Sequence, residues 1–235
     1  MPARERWSWA CNPRRYDAGM SPYLLTGSLL LFAYLLGSAS GSLLLGRMRG
    51  VDIRQHGSGN AGGTNAFRTL GWKFALGVAL FDIGKGVLAT WIALRYAPVG
   101  MPLSVTVHGY LAAAAAVLGH VWPVWHGFRG GKGAATAVGG LLVLWPWSIP
   151  VLLFAWIVVL TTTGYVGLAT VVAGICLPLL AWMTDAEPPR LLFCIGVALY
   201  LVFTHRSNLQ RLWRGNESRF ERARVLHRLY RGQRQ

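Results

Sequence analysis

Acidic side chains are scarce in this chain of 235 residues, which carries 8 Asp and Glu against 23 Lys and Arg, a formal net charge of +15. Charged residues of both signs amount to only 13% of the sequence, where about 25% is typical of a soluble domain. A strongly basic chain can indicate nucleic-acid binding. Here, however, the uncharged runs exceed the roughly 20 apolar residues that cross a bilayer. We therefore expect a membrane protein and no nucleic-acid partner.

Cysteine is also scarce, which argues against a small fold stabilised by zinc or by disulfides. The three cysteines, at positions 11, 176 and 194, are odd in number and widely spaced, unlike the ligands of zinc sites or the pairs of a disulfide framework. Cys176 and Cys194 are expected to be small core residues. The sequence shows no acidic cluster on the face where its motifs lie, so neither a metal nor a cofactor is expected.

The sequence contains long uncharged apolar runs, which predict an all-α fold. Segments of a chain that span a bilayer must be helical because no water is present to bind open backbone groups. A cleaved leader is not expected, since residues 1–22 are polar and the run 23–45 is long enough to span. The apolar segments are 18–46, 74–94, 96–128, 133–184 and 191–204, of which only 74–94 contains charged residues, Asp82 and Lys85.

The distribution of Lys and Arg predicts the topology, because cytoplasmic loops are enriched in these residues. Segments 46–73, 122–133 and 205–235 hold five, two and nine of them, together 16 of 23, and are placed in the cytoplasm. The number of spans between cytoplasmic segments must be even, so 133–184 must contain three helices, broken near Pro146–Pro150 and near Gly164. The prediction is a polytopic bundle of seven transmembrane helices, with the N-terminus outside and the C-terminus cytoplasmic.

The first polar loop, residues 56–65, reads HGSGNAGGTN and is followed by Arg68. Its four glycines allow successive backbone N–H groups to face an anion, as in a nest or at a helix N-terminus. Three of them also spell GxGxxG, but a dinucleotide site needs a strand before that motif, and Asp82, at the spacing of its acidic residue, lies in an apolar span. A flexible linker is the remaining alternative, which the ending in Thr-Asn and the spaced Arg disfavour.

The second polar loop, residues 127–133, reads GFRGGKG, with Gly119-His120 before it and Thr136 after it. A lysine in a Gly-rich turn indicates phosphate binding, although the residues at 126 and 133 do not match a P-loop. The alternative is a positive anchor for the next helix. His120, at a helix end, is also compatible with an interfacial histidine.

The third polar segment begins at His205 and contains Asn208, Arg211 and Glu217. Residues 205, 208 and 211 are three apart, so they share one face of a helix that continues from the last span. A histidine can transfer a proton near neutral pH and an asparagine can orient a hydroxyl. The alternative is a positively charged helix end at the interface. The arginines from 219 to 234 are expected to bind anionic lipid headgroups.

Two charged residues within a span, Asp82 and Lys85, are three apart and are predicted to pair on one helix face. Intramembrane charges are costly and are usually paired or functional. The sequence leaves open whether this pair is structural or lies beneath the active site.

The three loops together resemble the motifs of the bacterial acyl-phosphate:glycerol-3-phosphate acyltransferases, the PlsY-type membrane enzymes. The matching segments are GSGNAGGTNAFR (57–68), GHVWPVWHGFRGGKGAAT (119–136) and HRSNLQRLWRGNE (205–217). The resemblance runs from about Tyr23 to Glu217. It predicts a membrane-embedded acyltransferase domain at 23–217, a polar N-terminal extension at 1–22 and a basic cytoplasmic tail at 218–235.

The resemblance implies transfer of a fatty acyl group from acyl phosphate to the 1-hydroxyl of sn-glycerol 3-phosphate, giving lysophosphatidate and inorganic phosphate, the first acylation of phospholipid synthesis. It implies catalytic roles for Ser58, Arg68, Lys132, His205 and Asn208. The substrate- and phosphate-binding positions it implies are Gly57, Gly59, Asn60, Gly62, Thr64, Asn65, Gly130, Gly131, Gly133, Arg206 and Glu217.

The resemblance also implies the protein's setting. We expect a multi-pass protein of the bacterial cytoplasmic (inner) membrane with its site at the cytoplasmic face. Its partners would be the two substrates, membrane lipids and, functionally, the enzyme that makes acyl phosphate. A monomer is expected, although no sequence feature sets the oligomeric state.

Other function classes fit the residues less well. An organic-anion transporter is disfavoured because the sequence contains no internal repeat. An acyl-CoA-dependent acyltransferase of the soluble-fold type would have an Asp five positions after a His, and none of the six histidines has one. Alcohol phosphotransferases would need an Asp-rich metal motif. A purely structural or lipid-binding protein would not account for Ser58, Asn65, Lys132 and Asn208 on one face.

Overall fold

In the described part of the protein, all regular secondary structure is helical. A computed structural model describes residues 20–98 and 100–223, which form nine α-helices and three short 3-10 helices. Residues 1–19 and 224–235, which contain most of the predicted N-terminal extension and much of the predicted basic tail, lie outside the described residues. The α-helices are α1 Pro22–Ser38, α2 Gly41–Arg47, α3 Gly63–Arg95, α4 Val105–Val121, α5 Ala134–Leu144, α6 Ser148–Thr163, α7 Val166–Met183, α8 Pro188–Thr204 and α9 Arg206–Trp213.

Both predicted breaks in the run 133–184 are confirmed. Helix α5 ends before Trp145, and α6 ends at Gly164, which adopts the left-handed conformation with φ +80° that a glycine C-cap provides. The third motif does continue from the last span as a helix, but α8 and α9 meet at His205 with a bend of 55° that the sequence did not predict. A second bend, of 49°, separates α1 from α2.

Not every helix is long enough to cross a bilayer by itself. Helices α3 and α7 and the segment Val105–His126, which contains α4, have the length and hydropathy of spans, and each bent pair, α1–α2 and α8–α9, would add one, giving up to five. Helices α5 and α6 are apolar but have only 11 and 16 residues. Seven helical segments thus match the seven predicted ones, while the number of crossings stays a prediction.

Glycines bring two helix pairs into backbone contact, α1 with α4 and α3 with α5. A Cβ on Gly37 would lie 2.1 Å from the Ala116 carbonyl oxygen, and one on Gly119 would lie 2.1 Å from that of Tyr34. In α3 and α5, a Cβ on Gly86 would lie 2.2 Å from the Thr136 carbonyl oxygen. Small residues allow this approach, which is how helices associate where lipid is as apolar as the protein interior.

We expect Gly86→Ala to lower the free energy of unfolding by about 1–3 kcal/mol, because the added methyl meets backbone that cannot move without separating α3 from α5. Gly84→Ala is the matched control, since a Cβ there has no heavy atom within 4 Å. Thermal unfolding in detergent micelles would compare the two variants. Equal melting temperatures would contradict the close packing of α3 on α5.

Candidate active site

One cavity of about 660 Å³ collects residues from all three polar loops. The third motif lies apart from the other two in sequence, yet the bundle places it beside them. All five predicted catalytic residues line this cavity: Ser58, Arg68, Lys132, His205 and Asn208.

Asn65 organises the first loop. Its side chain is 1% exposed; Oδ1 accepts a hydrogen bond from the Ser58 backbone N–H at 2.9 Å, and Nδ2 donates to the carbonyls of Ile53 and His56 at 3.0 and 2.9 Å. Gly57 adopts φ +57° and leaves room for this side chain. The fixed loop places Ser58 at the cavity.

The N-terminus of α3 also faces the cavity. The helix begins at Gly63 without a side-chain cap and without an acidic residue in its first turn. The first N–H groups of a helix have no intrahelical acceptor, and the macrodipole makes this end positive. Gly62, Gly63 and Thr64 line the cavity, so this end is suited to an anion.

A chain of hydrogen bonds connects the second loop to the third. Lys132 Nζ donates to Asn208 Oδ1, and Asn208 Nδ2 donates to Glu217 Oε1 at 2.6 Å. Glu217, whose side chain is 5% exposed, also accepts from Arg211 Nε at 2.7 Å. Glu217 therefore fixes the orientation of the Asn208 amide, and through it the position of the lysine.

His205 has a defined tautomer. Its Nδ1 lies 2.8 Å from the Leu201 carbonyl oxygen, which can only accept, so Nδ1 carries the proton of the neutral ring. Nε2 is therefore the basic nitrogen. Because the ring lies where α8 bends into α9 and lines the cavity, its Nε2 is available there as a hydrogen-bond acceptor.

Residues 218–220, which we name the strap, cross the site. Arg68 Nη2 donates to the Ser218 carbonyl at 3.2 Å, the Phe220 N–H donates to the Gly164 carbonyl at 2.8 Å, and the rings of Phe67 and Phe220 pack edge to face at 5.1 Å. Phe220 lines the cavity, although the sequence assigned it to the basic tail. Only the fold brings it back to α3 and α7.

The other side of the cavity is an apolar wall supplied by α3, α6 and α7. Sequence reasoning missed it, because its residues look like ordinary lipid-facing side chains. Trp72 and Leu76 are 60% and 50% exposed, so the wall reaches the outer surface of the bundle. Its members are Trp72, Ala75, Leu76, Ala79, Trp156, Leu160 and Val166.

Comparison of the sequence with known proteins identifies a family. A profile of the glycerol-3-phosphate acyltransferase family matches residues 27–215. The chain belongs to this family. A glycerol-3-phosphate acyltransferase of Chlorobaculum parvum is 38% identical over 220 residues, covering 82% of this chain and 95% of the relative.

Solved structures of the glycerol-3-phosphate acyltransferase family share the fold. The crystal structure of PlsY, an integral membrane glycerol 3-phosphate acyltransferase, in its glycerol 3-phosphate form has a TM-score of 0.76 and 34% identity, covering 83% of this chain and 95% of that chain. The lysophosphatidic acid form has a TM-score of 0.74 and 33% identity, covering 83% and 94%.

The predicted binding positions of this glycerol-3-phosphate acyltransferase family member divide into two groups. Those that line the cavity are Asn60, Gly62, Thr64, Asn65, Gly133 and Glu217, and those outside its lining are Gly57, Gly59, Gly130, Gly131 and Arg206. Within residues 20–98 and 100–223, no three His, Cys, Asp or Glu side chains lie close enough together to hold a metal ion.

The second group has contacts of its own. Gly57 and Gly59 have positive φ, and Gly130 and Gly131 pack so closely on His120 that a Cβ would lie 2.0 Å from its carbonyl oxygen or 2.1 Å from its Nε2. Arg206 is exposed and donates to the Phe203 carbonyl at 2.9 Å. These residues shape the loops from outside the lining.

Proposed function

We propose that this protein transfers a fatty acyl group from acyl phosphate to the 1-hydroxyl of sn-glycerol 3-phosphate, forming lysophosphatidate and inorganic phosphate. The observation that carries the proposal is one cavity with cations and N–H groups at one side and an apolar wall open to the bundle surface at the other. Such a cavity suits a phosphorylated polar substrate together with an acyl chain that stays in lipid.

The polar side would bind the two phosphates. Arg68 and Lys132 offer charge-assisted hydrogen bonds, and the N-terminus of α3 adds backbone donors. Ser58, placed by Asn65, would donate to the phosphate or to the carbonyl oxyanion. Because acyl phosphate is an activated mixed anhydride, alignment and oxyanion stabilisation are the main tasks of the site.

The reaction would be direct, without an acyl-enzyme. The glycerol hydroxyl oxygen attacks the acyl carbonyl carbon, the ester bond forms, and the bond from carbon to the phosphate oxygen breaks as phosphate leaves. Asn208 and His205 would position glycerol phosphate, and the hydroxyl proton would pass to His205 Nε2 or to the departing phosphate. No metal or cofactor takes part in this scheme, and a monomer supplies every group it uses.

We also propose that residues 23–217 form the acyltransferase domain and that its seven main helices cross the inner membrane, with the N-terminus outside and the site in the cytoplasm. The described parts of the three basic segments line one cavity, which supports this orientation, and anionic lipid would bind the part of the tail beyond the strap. Labelling of single cysteines at positions 10 and 230 in intact cells tests it. Both termini on one side would contradict the topology.

The proposed activity is tested by incubating purified protein with palmitoyl phosphate and labelled glycerol 3-phosphate, and in parallel with palmitoyl-CoA. We expect labelled lysophosphatidate from acyl phosphate. Product only from the CoA thioester would overturn the donor, and product from neither would overturn the acyltransferase proposal. Acyl-Ser58 trapped with acyl phosphate alone would exclude direct transfer.

The pH dependence of acceptor binding should report the state of Lys132. Burial, and next the positive charge of Arg211, lower the pKa of Lys132 to about 8. The protonated form binds phosphate, so raising the pH through 8 removes the charge from the free enzyme and weakens binding. We expect kcat/KM for glycerol 3-phosphate to fall about fivefold from pH 8 to pH 9, since substrate phosphates are already fully ionised there.

The matched variant for this pH profile is Lys132→Arg, because a guanidinium stays charged at these pH values. Its kcat/KM should be lower than that of the wild type but flat between pH 8 and pH 9. An equally steep fall in the arginine variant would assign the ionisation to another group.

A further inference from the structure

Asp82, Lys85 and His120 form a buried polar cluster at the base of the cavity. Lys85 Nζ lies 3.1 Å from Asp82 Oδ1 and 2.9 Å from His120 Nδ1, which confirms the pair predicted from the sequence. The same ammonium donates to the carbonyls of Gly37 and Ala39 at 2.7 and 2.8 Å, at the bend between α1 and α2. Asp82 and His120 line the cavity, so the cluster reaches the site.

The cluster determines the tautomer of His120. An ammonium group has three N–H donors and no acceptor. The Gly37 and Ala39 carbonyls take two of the donors, and the third is left for His120 Nδ1 and the adjacent Asp82 carboxylate. Nδ1 lies 2.9 Å from Lys85 Nζ, which as an ammonium cannot accept, but 3.5 Å from Asp82 Oδ1, which is long for a hydrogen bond. The short contact with the ammonium assigns Nδ1 as an acceptor, which leaves the proton of the neutral imidazole on Nε2.

The second loop packs directly against this Nε2. The Gly131 N–H donates to the His120 carbonyl at 3.1 Å, and the 2.1 Å separation between a Cβ on Gly131 and Nε2 shows that the ring nitrogen lies directly against this glycine. Lys132 is the next residue, and it lines the same cavity as the His120 ring. A neutral N–H donor is thus held against the residue that precedes Lys132, in the lining of the same cavity.

We propose that His120 is a further catalytic hydrogen-bond donor, whose Nε2–H donates to an anionic oxygen at the reacting end of the acyl phosphate. Lys85 and Asp82 are positioning residues that hold the ring in this tautomer. The inference rests on the proposed acyl transfer. As the hydroxyl attacks, negative charge grows on the carbonyl oxygen, and a donor already fixed in place stabilises that charge without giving up its proton.

Two amide variants of His120 test the roles of its two ring nitrogens separately. In His120→Asn, the side-chain oxygen still accepts from Lys85, but no donor reaches the cavity. In His120→Gln, the longer side chain places an N–H near the position of Nε2. We expect kcat/KM for acyl phosphate to fall about 10- to 100-fold in H120N, as for loss of a hydrogen bond to a charged group, with KM for glycerol 3-phosphate unchanged. H120Q should recover most of this loss.

The matched control is His108→Asn. His108 is 1% exposed, lies on the same helix about 18 Å from His120, and hydrogen-bonds Ser104 and Thr26 rather than the cavity. We expect its kcat/KM to stay within about twofold of wild type. H120N within threefold of wild type, or H120Q impaired as much as H120N, would overturn the proposal.

A spectroscopic measurement tests the tautomer independently of turnover. With 15N-labelled histidine, solid-state NMR of the wild-type protein in lipid should show His120 protonated on Nε2 and not on Nδ1. The double variant Asp82→Asn with Lys85→Met should show a mixture of tautomers. A protonated Nδ1 in the wild type would overturn the inference. Failure of the wild type to form product would instead contradict the proposed function, so the two failures are distinguishable.

Discussion

Replacing Lys132 with methionine is expected to lower kcat/KM for acyl transfer by about a thousandfold. Methionine keeps the length of the side chain but removes the cation that we propose binds the substrate phosphates. One hydrogen bond to a charged group is worth about 1.5–3 kcal/mol, and loss of a single oxyanion donor costs about 10²–10³ in rate. Steady-state kinetics with acyl phosphate and glycerol 3-phosphate would measure the change.

Lys73→Met is the matched control, since it removes the same charge from the chain. Lys73 is an exposed lysine beside the Trp72 ring and does not line the cavity. Its kcat/KM should stay within about twofold of wild type. A similar loss in both variants would mean that net charge at the membrane, rather than contact with phosphate, explains the effect of Lys132.

The second large effect is expected for Glu217→Ala, which should lower kcat/KM on the order of 10²-fold or more. The carboxylate is the shared acceptor for Asn208 and Arg211. Arg211 is 41% exposed and can turn to solvent, but Asn208 would lose a hydrogen bond to a charged group, which is worth about 1.5–3 kcal/mol. Asn208 would then turn freely, and Lys132 would lose its fixed position. The measurement is KM for glycerol 3-phosphate together with kcat.

The conservative variant Glu217→Gln separates orientation from charge. Its amide oxygen can still accept from Asn208, so we expect activity within about tenfold of wild type. Glu187→Ala, at an exposed carboxylate before α8, serves as the control and should behave like wild type. If Glu217→Ala retained a third of wild-type activity, the network would not position the catalytic lysine.

The helices could be predicted because hydropathy reports them directly. Uncharged runs between basic loops mark the segments, and Pro146 and Gly164 mark breaks that backbone chemistry enforces. The bends within the bundle could not be predicted. The bend at His205 leaves the three-residue spacing of the motif unchanged, so a straight and a bent helix have the same pattern. At the bend between α1 and α2, the carbonyls of Gly37 and Ala39 accept hydrogen bonds from Lys85, which is 48 and 46 residues away in the sequence.

The site could be predicted in its chemistry more than in its geometry. Residue type alone indicated that Lys132 and Arg68 would face anions, and the structure brings both to one cavity. Residue type could not show that the buried Asn65 side chain holds the first loop, or that Glu217 acts through Asn208. These roles depend on which atoms meet after folding. The apolar wall was invisible for a different reason, since a groove for an acyl chain and a lipid-facing surface use the same residues.

The strap has a consequence for the order in which the enzyme becomes complete. Synthesis proceeds from the N-terminus, and domains assemble in that order. Glu217 and Phe220 follow the end of α9 at Trp213. A nascent chain released at Trp213 would contain all nine described α-helices and yet lack the carboxylate that orients Asn208 and the aromatic ring that covers Arg68. Termination of synthesis between Trp213 and Glu217 would thus leave the helical bundle with an unfinished active site.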